Sequence, residues 1–186
     1  RQMCIRDSWR TDKSAPIDYN DNEGFCGGFA VQWNTNKGKC GVCGDPYNTP
    51  TPRNHELGGK FGQGTIVKEY TQGAKFEATI LITANHLGHF YFRICNLDVE
   101  PESEACFERY KVQTSAGDTY PLNSSSSGEY KVWLQLPTNL YCNHCVLQWT
   151  YVAGNNWGIC PDGSGRLGCG NQENFRSCSD IRIKRV

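Results

Sequence analysis

The sequence has no net charge and no long apolar run, and each absence excludes a class of partner. Its 186 residues include 19 basic and 19 acidic side chains, so no broad positive field exists to hold nucleic acid or an anionic membrane surface. No apolar stretch approaches the roughly 18 residues that span a bilayer. We therefore expect neither a nucleic-acid partner nor a membrane partner.

Capped segments with helical periodicity are also scarce, and alternation with period two is the commoner pattern. The predicted strands are residues 75–83, 89–95, 128–136 and 145–152. Residues 75–83 and 128–136 alternate clearly, and residues 145–152 are apolar and aromatic enough for a buried strand. The first two segments are predicted to pair as a hairpin, and the four together predict an all-β sandwich. The first 70 residues are rich in Gly, Asn and Pro and are predicted to form long loops that carry the working surface.

Cysteine is abundant, with 11 residues in the chain. Such a density persists as disulfides only in an oxidising compartment, which predicts a secreted, extracellular protein. Cys4 is the odd residue, and the other ten predict five disulfides whose pairing the sequence leaves open. These ten are Cys26, Cys40, Cys43, Cys95, Cys106, Cys142, Cys145, Cys160, Cys169 and Cys178. A glycosylation sequon begins at Asn123, in a serine-rich stretch predicted to be an exposed loop.

Two Cys-x-x-Cys pairs, Cys40/Cys43 and Cys142/Cys145, leave a four-thiolate zinc site open as an alternative. Disulfides are favoured over zinc because oxidation competes for the thiols and six further cysteines also need partners. A thioredoxin-like role needs the motif to open a helix, whereas Cys142 enters a predicted strand. A glycosidase is also disfavoured, because no carboxylate pair has a recognisable acid and nucleophile setting.

Histidine is scarce, with four residues and none before His55. Only His86 and His89 are close together, and they fall between two predicted strands. This places His86 at a loop tip and His89 at the start of the return strand. On residue type alone, His86 is more readily a surface bystander than a metal ligand.

The sequence segments around His86 resemble those of the lytic polysaccharide monooxygenases of auxiliary-activity family fifteen, the invertebrate type. The resemblance covers almost everything after Trp9 and implies an immunoglobulin- or fibronectin-like β-sandwich with long, disulfide-stapled loops. Residues 9–186 would then form a single catalytic-type domain, expected to be a monomer. The matching segments are YNDNEGFCGG (19–28), QW (32–33), NKGKCGVCGD (36–45), PRNHELGG (52–59), TANHLGHF (83–90), YCNHCVLQWTYVAGNNWG (141–158), GCG (168–170) and FRSC (175–178).

The resemblance also implies a copper site on a flat face. In this family an N-terminal histidine chelates copper through its amine and its ring, and a second histidine adds a third nitrogen. His86 matches that second histidine, Phe175 the aromatic residue at the axial position, and Ala84 the small residue on the open axial side. His86 and Phe175 are thus the predicted catalytic residues. The implied reaction is copper-dependent oxidative cleavage of chitin or cellulose, an insoluble polysaccharide, with an external electron donor.

Aromatic residues are the candidates for contact with sugar rings. Tyr19, in the first matched loop, is predicted either to stack on a sugar ring or to pack in the core. The tryptophans are predicted mostly to be core residues, and none is a predicted substrate contact. They are Trp9, Trp33, Trp133, Trp149 and Trp157.

The start of the chain departs from the family pattern, because Arg1 stands first and no histidine precedes Trp9. Residues 1–8, which include Cys4, are predicted to be a non-family segment that replaces the true start. We expect the chain as written to bind copper weakly, since His86 alone is a monodentate ligand. A secreted module that only binds polysaccharide is the alternative, and a purely structural or immune-type secreted protein is a third possibility.

Overall fold

The computed structural model describes Trp9, residues 12–20 and residues 24–186. The predicted non-family segment 1–8, with Cys4, lies outside the described residues. No helix in the described part of the chain has the length and apolar character needed to cross a membrane. The strands are β1 (Lys68–Thr71), β2 (Lys75–Ile82), β3 (His89–Asn96), β4 (Tyr110–Thr114), β5 (Tyr120–Pro121), β6 (Gly128–Gln135), β7 (Cys142–Val152), β8 (Trp157–Ile159), β9 (Gly165–Leu167) and β10 (Asn174–Lys184).

The predicted all-β sandwich is confirmed, in the form of one curled sheet. Its strands follow the order β1-β10-β7-β3-β4-β6-β2, and β5 pairs with the start of β3. Strand β4 joins the two layers, because Val112 pairs with β3 while Gln113 and Thr114 pair with β6. All neighbours are antiparallel except β1 and β10, which are parallel. Outside the sheet lie a short helix α1 (Glu104–Glu108) and one π-helical turn (Val31–Thr35).

The predicted hairpin between β2 and β3 is wrong. Strand β2 pairs with β6, and β3 pairs with β7 over its whole length. Both strands bury their apolar side chains in the shared core, for example Ile80 from β2 and Phe92 from β3. They therefore face each other across the sandwich instead of lying side by side, and residues 83–88 cross from one layer to the other.

Strand β7 is buried on both faces, which explains why its sequence is apolar almost without alternation. Cys145 and Leu147 point into the main core between the layers, whereas Val146 joins a smaller cluster around Phe107. The main core includes Phe90, fully buried and ringed by other aromatic side chains. Burial of a side chain of this size contributes roughly 2–3 kcal/mol.

The ten cysteines form five disulfides: Cys26–Cys40, Cys43–Cys178, Cys95–Cys106, Cys142–Cys145 and Cys160–Cys169. The bond between Cys43 and Cys178 ties the long N-terminal loops to β10 across a separation of 135 residues. Since both Cys-x-x-Cys pairs are consumed by disulfides, the four-thiolate zinc alternative is excluded.

The expectation that most tryptophans are core residues is wrong. Trp133 is 53% and Trp157 64% exposed, and Trp9, Trp33 and Trp149 are only partly buried. Trp133 lies on the outer face of β6, because it alternates with the buried Val132 and Leu134. Trp157 lies on the two-stranded ribbon of β8 and β9, which is separate from the main sheet.

Candidate active site

The backbone of His86 is held on both sides by the end of β7. Its N–H donates to the hydroxyl oxygen of Tyr151 at 2.7 Å, and its carbonyl accepts from the N–H of Gly154 at 2.8 Å. Burial raises the pKa of Tyr151, and the hydrogen bond from the His86 N–H partly offsets that rise. The Tyr151 hydroxyl therefore stays protonated at ordinary pH and can accept this hydrogen bond. The His86 side chain itself is half-buried at the surface.

The crossover ends in a close approach that requires glycine. Gly88 has φ +83°, and a Cβ there would lie 1.9 Å from the carbonyl oxygen of Val152. Leu87, directly before it, also has a positive φ of 57°. This tight turn brings His86 against the end of β7 immediately before β3 begins.

Phe175 stacks beside His86, so the structure brings together the two predicted catalytic residues. Their ring centroids are 6.4 Å apart with an interplanar angle of 20°. The ring of Tyr151 also stacks on Phe175, with the ring centroids 5.5 Å apart. The registers pair Phe175 with Tyr151 and Tyr151 with Phe90, so three neighbouring strands carry an aromatic row that ends at His86.

Asn85 fixes the crossover from the other layer, and nothing in the sequence singled it out. Its side-chain amide donates to the carbonyls of Ser124 and Ser126 and to the hydroxyl oxygen of Tyr130, at 2.7–3.1 Å. Its side-chain oxygen accepts from the N–H of Leu87 at 2.7 Å. The serine-rich stretch, predicted only to be an exposed loop, thus anchors the crossover that carries His86.

Ala84 and Asn123 are both exposed. Ala84 lies two residues before His86 in the same crossover, so it adds no bulk to the surface there. Asn123 is in the loop that leads to the serine run, where a glycan would not meet the core. Their roles as a small axial neighbour and a glycosylation site stay predictions.

Asn155 is a further neighbour of His86 that sequence reasoning missed. Its amide nitrogen Nδ2 lies 3.2 Å from Nδ1 of His86. Among the described residues, no other polar side chain is within hydrogen-bond distance of this ring. Nδ1 is therefore engaged by Asn155, and Nε2 is the nitrogen left for another partner.

His55 and His144 have carboxylate partners of their own. His55 bonds to Asp45 through Nδ1 and to Asp18 through Nε2, each at 2.8 Å. Burial lowers the pKa of His55, but the hydrogen bonds and charges of Asp45 and Asp18 outweigh burial and raise it. His144 bonds to the buried Asp180 at 2.8 Å.

The described residues supply one of the three nitrogen ligands that the family's copper site needs. They supply neither the N-terminal amine nor the ring of the first histidine. His86 offers one imidazole nitrogen beside Phe175. Over the described parts of the chain, the sole cluster of three side chains of metal-binding type is Cys43, Glu102 and Cys178. Its two sulfurs are bonded to each other in a disulfide, so they are not thiolate ligands. No second histidine among the described residues contacts the His86 ring.

Tyr19 is 85% exposed, which excludes core packing. It lies in the loop 12–20, next to Asp18, whose carboxylate holds that loop to His55. No contact joins Tyr19 to His86 or Phe175 in the described structure. Stacking of Tyr19 on a sugar ring stays a prediction.

Comparisons with known proteins agree with this architecture. A family model described as "Lytic polysaccharide mono-oxygenase, cellulose-degrading" matches residues 1–181. That range includes residues 1–8, whose foreign origin stays a prediction. No curated protein sequence matches the chain.

A solved structure, "Lytic Polysaccharide Monooxygenase AA15 from Thermobia domestica in the Cu(I) State", superposes with a TM-score of 0.91. It is 42% identical in sequence, and the alignment covers 97% of this chain and 95% of that one. The aromatic row, the crossover with His86 and the disulfide-stapled loops therefore stand in a known architecture. The chain belongs to the lytic polysaccharide monooxygenases, in auxiliary-activity family fifteen.

Proposed function

We propose that a histidine-starting form of this protein is a secreted, copper-dependent monooxygenase that cleaves glycosidic bonds of chitin or cellulose oxidatively. The observation that carries the proposal is the surface pair of His86 and Phe175. The similar enzyme from Thermobia domestica, solved in the Cu(I) state, supports copper as the metal. The five disulfides support an extracellular location.

The residues around His86 have distinct tasks in this proposal. His86 offers Nε2 as a ligand, because Asn155 engages the other ring nitrogen. Phe175 would place a flat ring without a ligand atom beside a metal held by His86. Ala84 would be the small residue that keeps the approach to the site open. When bound, copper supplies one-electron chemistry toward oxygen or hydrogen peroxide, with electrons from an external donor.

The backbone bonds of His86 serve this arrangement by fixing the backbone that carries the ring, while Asn155 and Phe175 contact the ring itself. Because the backbone of His86 is already tied to Tyr151 and Gly154, ligation need not order that backbone. The half-exposed position keeps the site open to an insoluble substrate, which cannot enter a deep pocket. The proposal concerns a form that begins with histidine, since His86 is the one imidazole that the described residues bring to this site.

The test compares the 186-residue chain with a form whose start, taken from the transcript upstream of Trp9, is a histidine. Both are incubated with chitin or with cellulose and a reductant, and products are analysed by mass spectrometry. We expect oxidised oligosaccharides from the histidine-starting form on at least one polymer. The same form carrying His86→Ala is the matched control and should release none. Absence of oxidised products from both polymers would overturn the proposal.

A non-catalytic polysaccharide-binding module is the second candidate, favoured because His86 is the one imidazole that the described residues bring to the candidate site. It differs from the first in one measurable respect. A binding module is retained on the polymer but releases no oxidised product, even with the histidine start and added copper. Retention without products would therefore select the module over the monooxygenase.

A further inference from the structure

The side-chain amide of Asn155 has one polar partner among the described residues, the ring of His86. Its Nδ2 lies 3.2 Å from Nδ1 of that ring. Its oxygen Oδ1 bonds to no described residue, and the side chain is exposed. The amide is therefore free to turn about its last side-chain bond.

The backbone on either side of Asn155 is, by contrast, held in place. Before it, the N–H of Gly154 donates to the carbonyl of His86 at 2.8 Å. After it, the N–H of Asn156 donates to the side-chain oxygen of Gln172 at 3.1 Å, and the Asn156 carbonyl accepts from the Gln172 amide at 3.0 Å. Gln172 is itself buried. The backbone thus keeps Asn155 beside the ring while its amide can turn.

An amide in this position can pair with either neutral form of an imidazole. A neutral ring carries its proton on one nitrogen and a lone pair on the other. If the proton is on Nε2, Nδ1 accepts a hydrogen bond from Nδ2 of Asn155. If the proton is on Nδ1, that nitrogen donates to Oδ1 instead. Half a turn of the amide exchanges the two pairings, because its oxygen and nitrogen have nearly the same size.

The two forms of the ring differ in what Nε2 can do. The amide nitrogen faces Nδ1 in the structure, and the form of the ring that it fits carries its proton on Nε2. A cation needs the lone pair of Nε2, which requires the proton to be on Nδ1. Ligation therefore moves one proton from Nε2 to Nδ1 through solvent, with no change in the charge of the ring, and leaves Nδ1–H in need of an acceptor.

We infer that Asn155 is a positioning residue whose amide turns with the tautomer of His86. With Nδ2 toward the ring it holds the unligated form. With Oδ1 toward the ring it stabilises Nδ1–H and leaves the Nε2 lone pair to a cation. The inference rests on the proposed function only for the identity of that cation, copper, since the tautomer is a property of the metal-free chain.

The first test measures the ring nitrogens of His86 by NMR in the metal-free, ¹⁵N-labelled 186-residue chain at about pH 8, where an ordinary imidazole is neutral. The parent should carry its proton mainly on Nε2. Asn155→Asp offers acceptors only, so it should move the proton mainly to Nδ1. Asn171→Asp is the matched control, because it makes the same charge change in the groove that Asn155 also lines but does not touch the ring. It should resemble the parent.

The second test adds Cu(II) alone to the same chain and follows the paramagnetic broadening of the His86 ring signals, which reports binding at this ring. Loss of a partner of this kind weakens metal binding about tenfold or more. Asn155→Leu, which has neither donor nor acceptor, should therefore need about ten times more Cu(II) than the parent. Asn155→Gln keeps the amide on a longer stem and should recover part of the loss.

Two results would each overturn the role of Asn155. One is an Asn155→Asp chain with the same tautomer as the parent. The other is equal broadening at His86 in the parent and Asn155→Leu. Product formation by the histidine-starting form is measured separately. Products from a form whose tautomer ignores Asn155 would end this inference alone, whereas a tautomer shift without products would end the proposed function alone.

Discussion

His55 and His86 both lie in sequence segments that match the family, yet the surroundings of their rings differ completely. Both ring nitrogens of His55 are bonded to carboxylates, and its ring stacks on Phe61 at 4.9 Å. The His86 ring meets one amide and one phenyl ring. An imidazole between two buried carboxylates is committed to the fold, whereas one with a free nitrogen is available for chemistry.

Replacing the two histidines should separate these roles, and the largest expected effect is at His55. His55→Ala leaves the carboxylates of Asp18 and Asp45 without the imidazole, and their side chains are only 8% exposed. Breaking a buried ion pair in this way costs about 3 kcal/mol or more. Denaturant unfolding should show that loss for His55→Ala. His86→Ala keeps its backbone bonds and should change stability by less than about 0.5 kcal/mol. Equal losses for the two variants would contradict the comparison.

The pH dependence of stability should distinguish His55 from His89. The pKa of His55 is raised in the folded protein, because its bonds to Asp45 and Asp18 outweigh burial. The folded state then binds the extra proton, so this stabilisation is full below the unfolded pKa of about 6.5 and is lost as pH rises through the folded pKa. Burial lowers the pKa of His89. Its contribution has the opposite sign and is lost as pH falls below about 6.5.

The free energy of unfolding of the parent, His55→Gln and His89→Gln, measured across pH 5–9, tests these two contributions. Relative to the parent, His55→Gln should remove a loss of stability on the alkaline side. His89→Gln should remove a loss on the acidic side. Parallel curves for all three proteins would show that neither ring titrates differently on folding.

The sequence predicted the strands well and their neighbours poorly. Alternation in β2 and β6 correctly marked which side chains are buried, because burial follows from period two alone. Alternation does not say which strand lies alongside, so β2 was wrongly paired with β3. Trp157 was misjudged for a related reason, since a short ribbon without a covering layer looks like any apolar strand segment.

The candidate site was predictable only where one residue carried the signal. His86 and Phe175 were found through their resemblance to family positions. The partners that hold His86 were not, because Tyr151 is 65 residues and Asn155 69 residues away in the chain. Such contacts depend on the register of β7 against β3 and on the loop that follows β7, and neither leaves a local pattern in the sequence.

An effect smaller than that of His55→Ala concerns the backbone of His86 and not its ring. Tyr151→Phe keeps the stacking on Phe175 but removes the oxygen that accepts the His86 N–H at 2.7 Å. The loss of one such bond costs about 1 kcal/mol, and hydrogen exchange at the His86 amide should become faster. Tyr130→Phe is the matched control, because that hydroxyl accepts from Asn85 and not from His86. If both variants accelerate exchange at His86 equally, the crossover is held as a whole and the bond to Tyr151 has no separate part in positioning the imidazole.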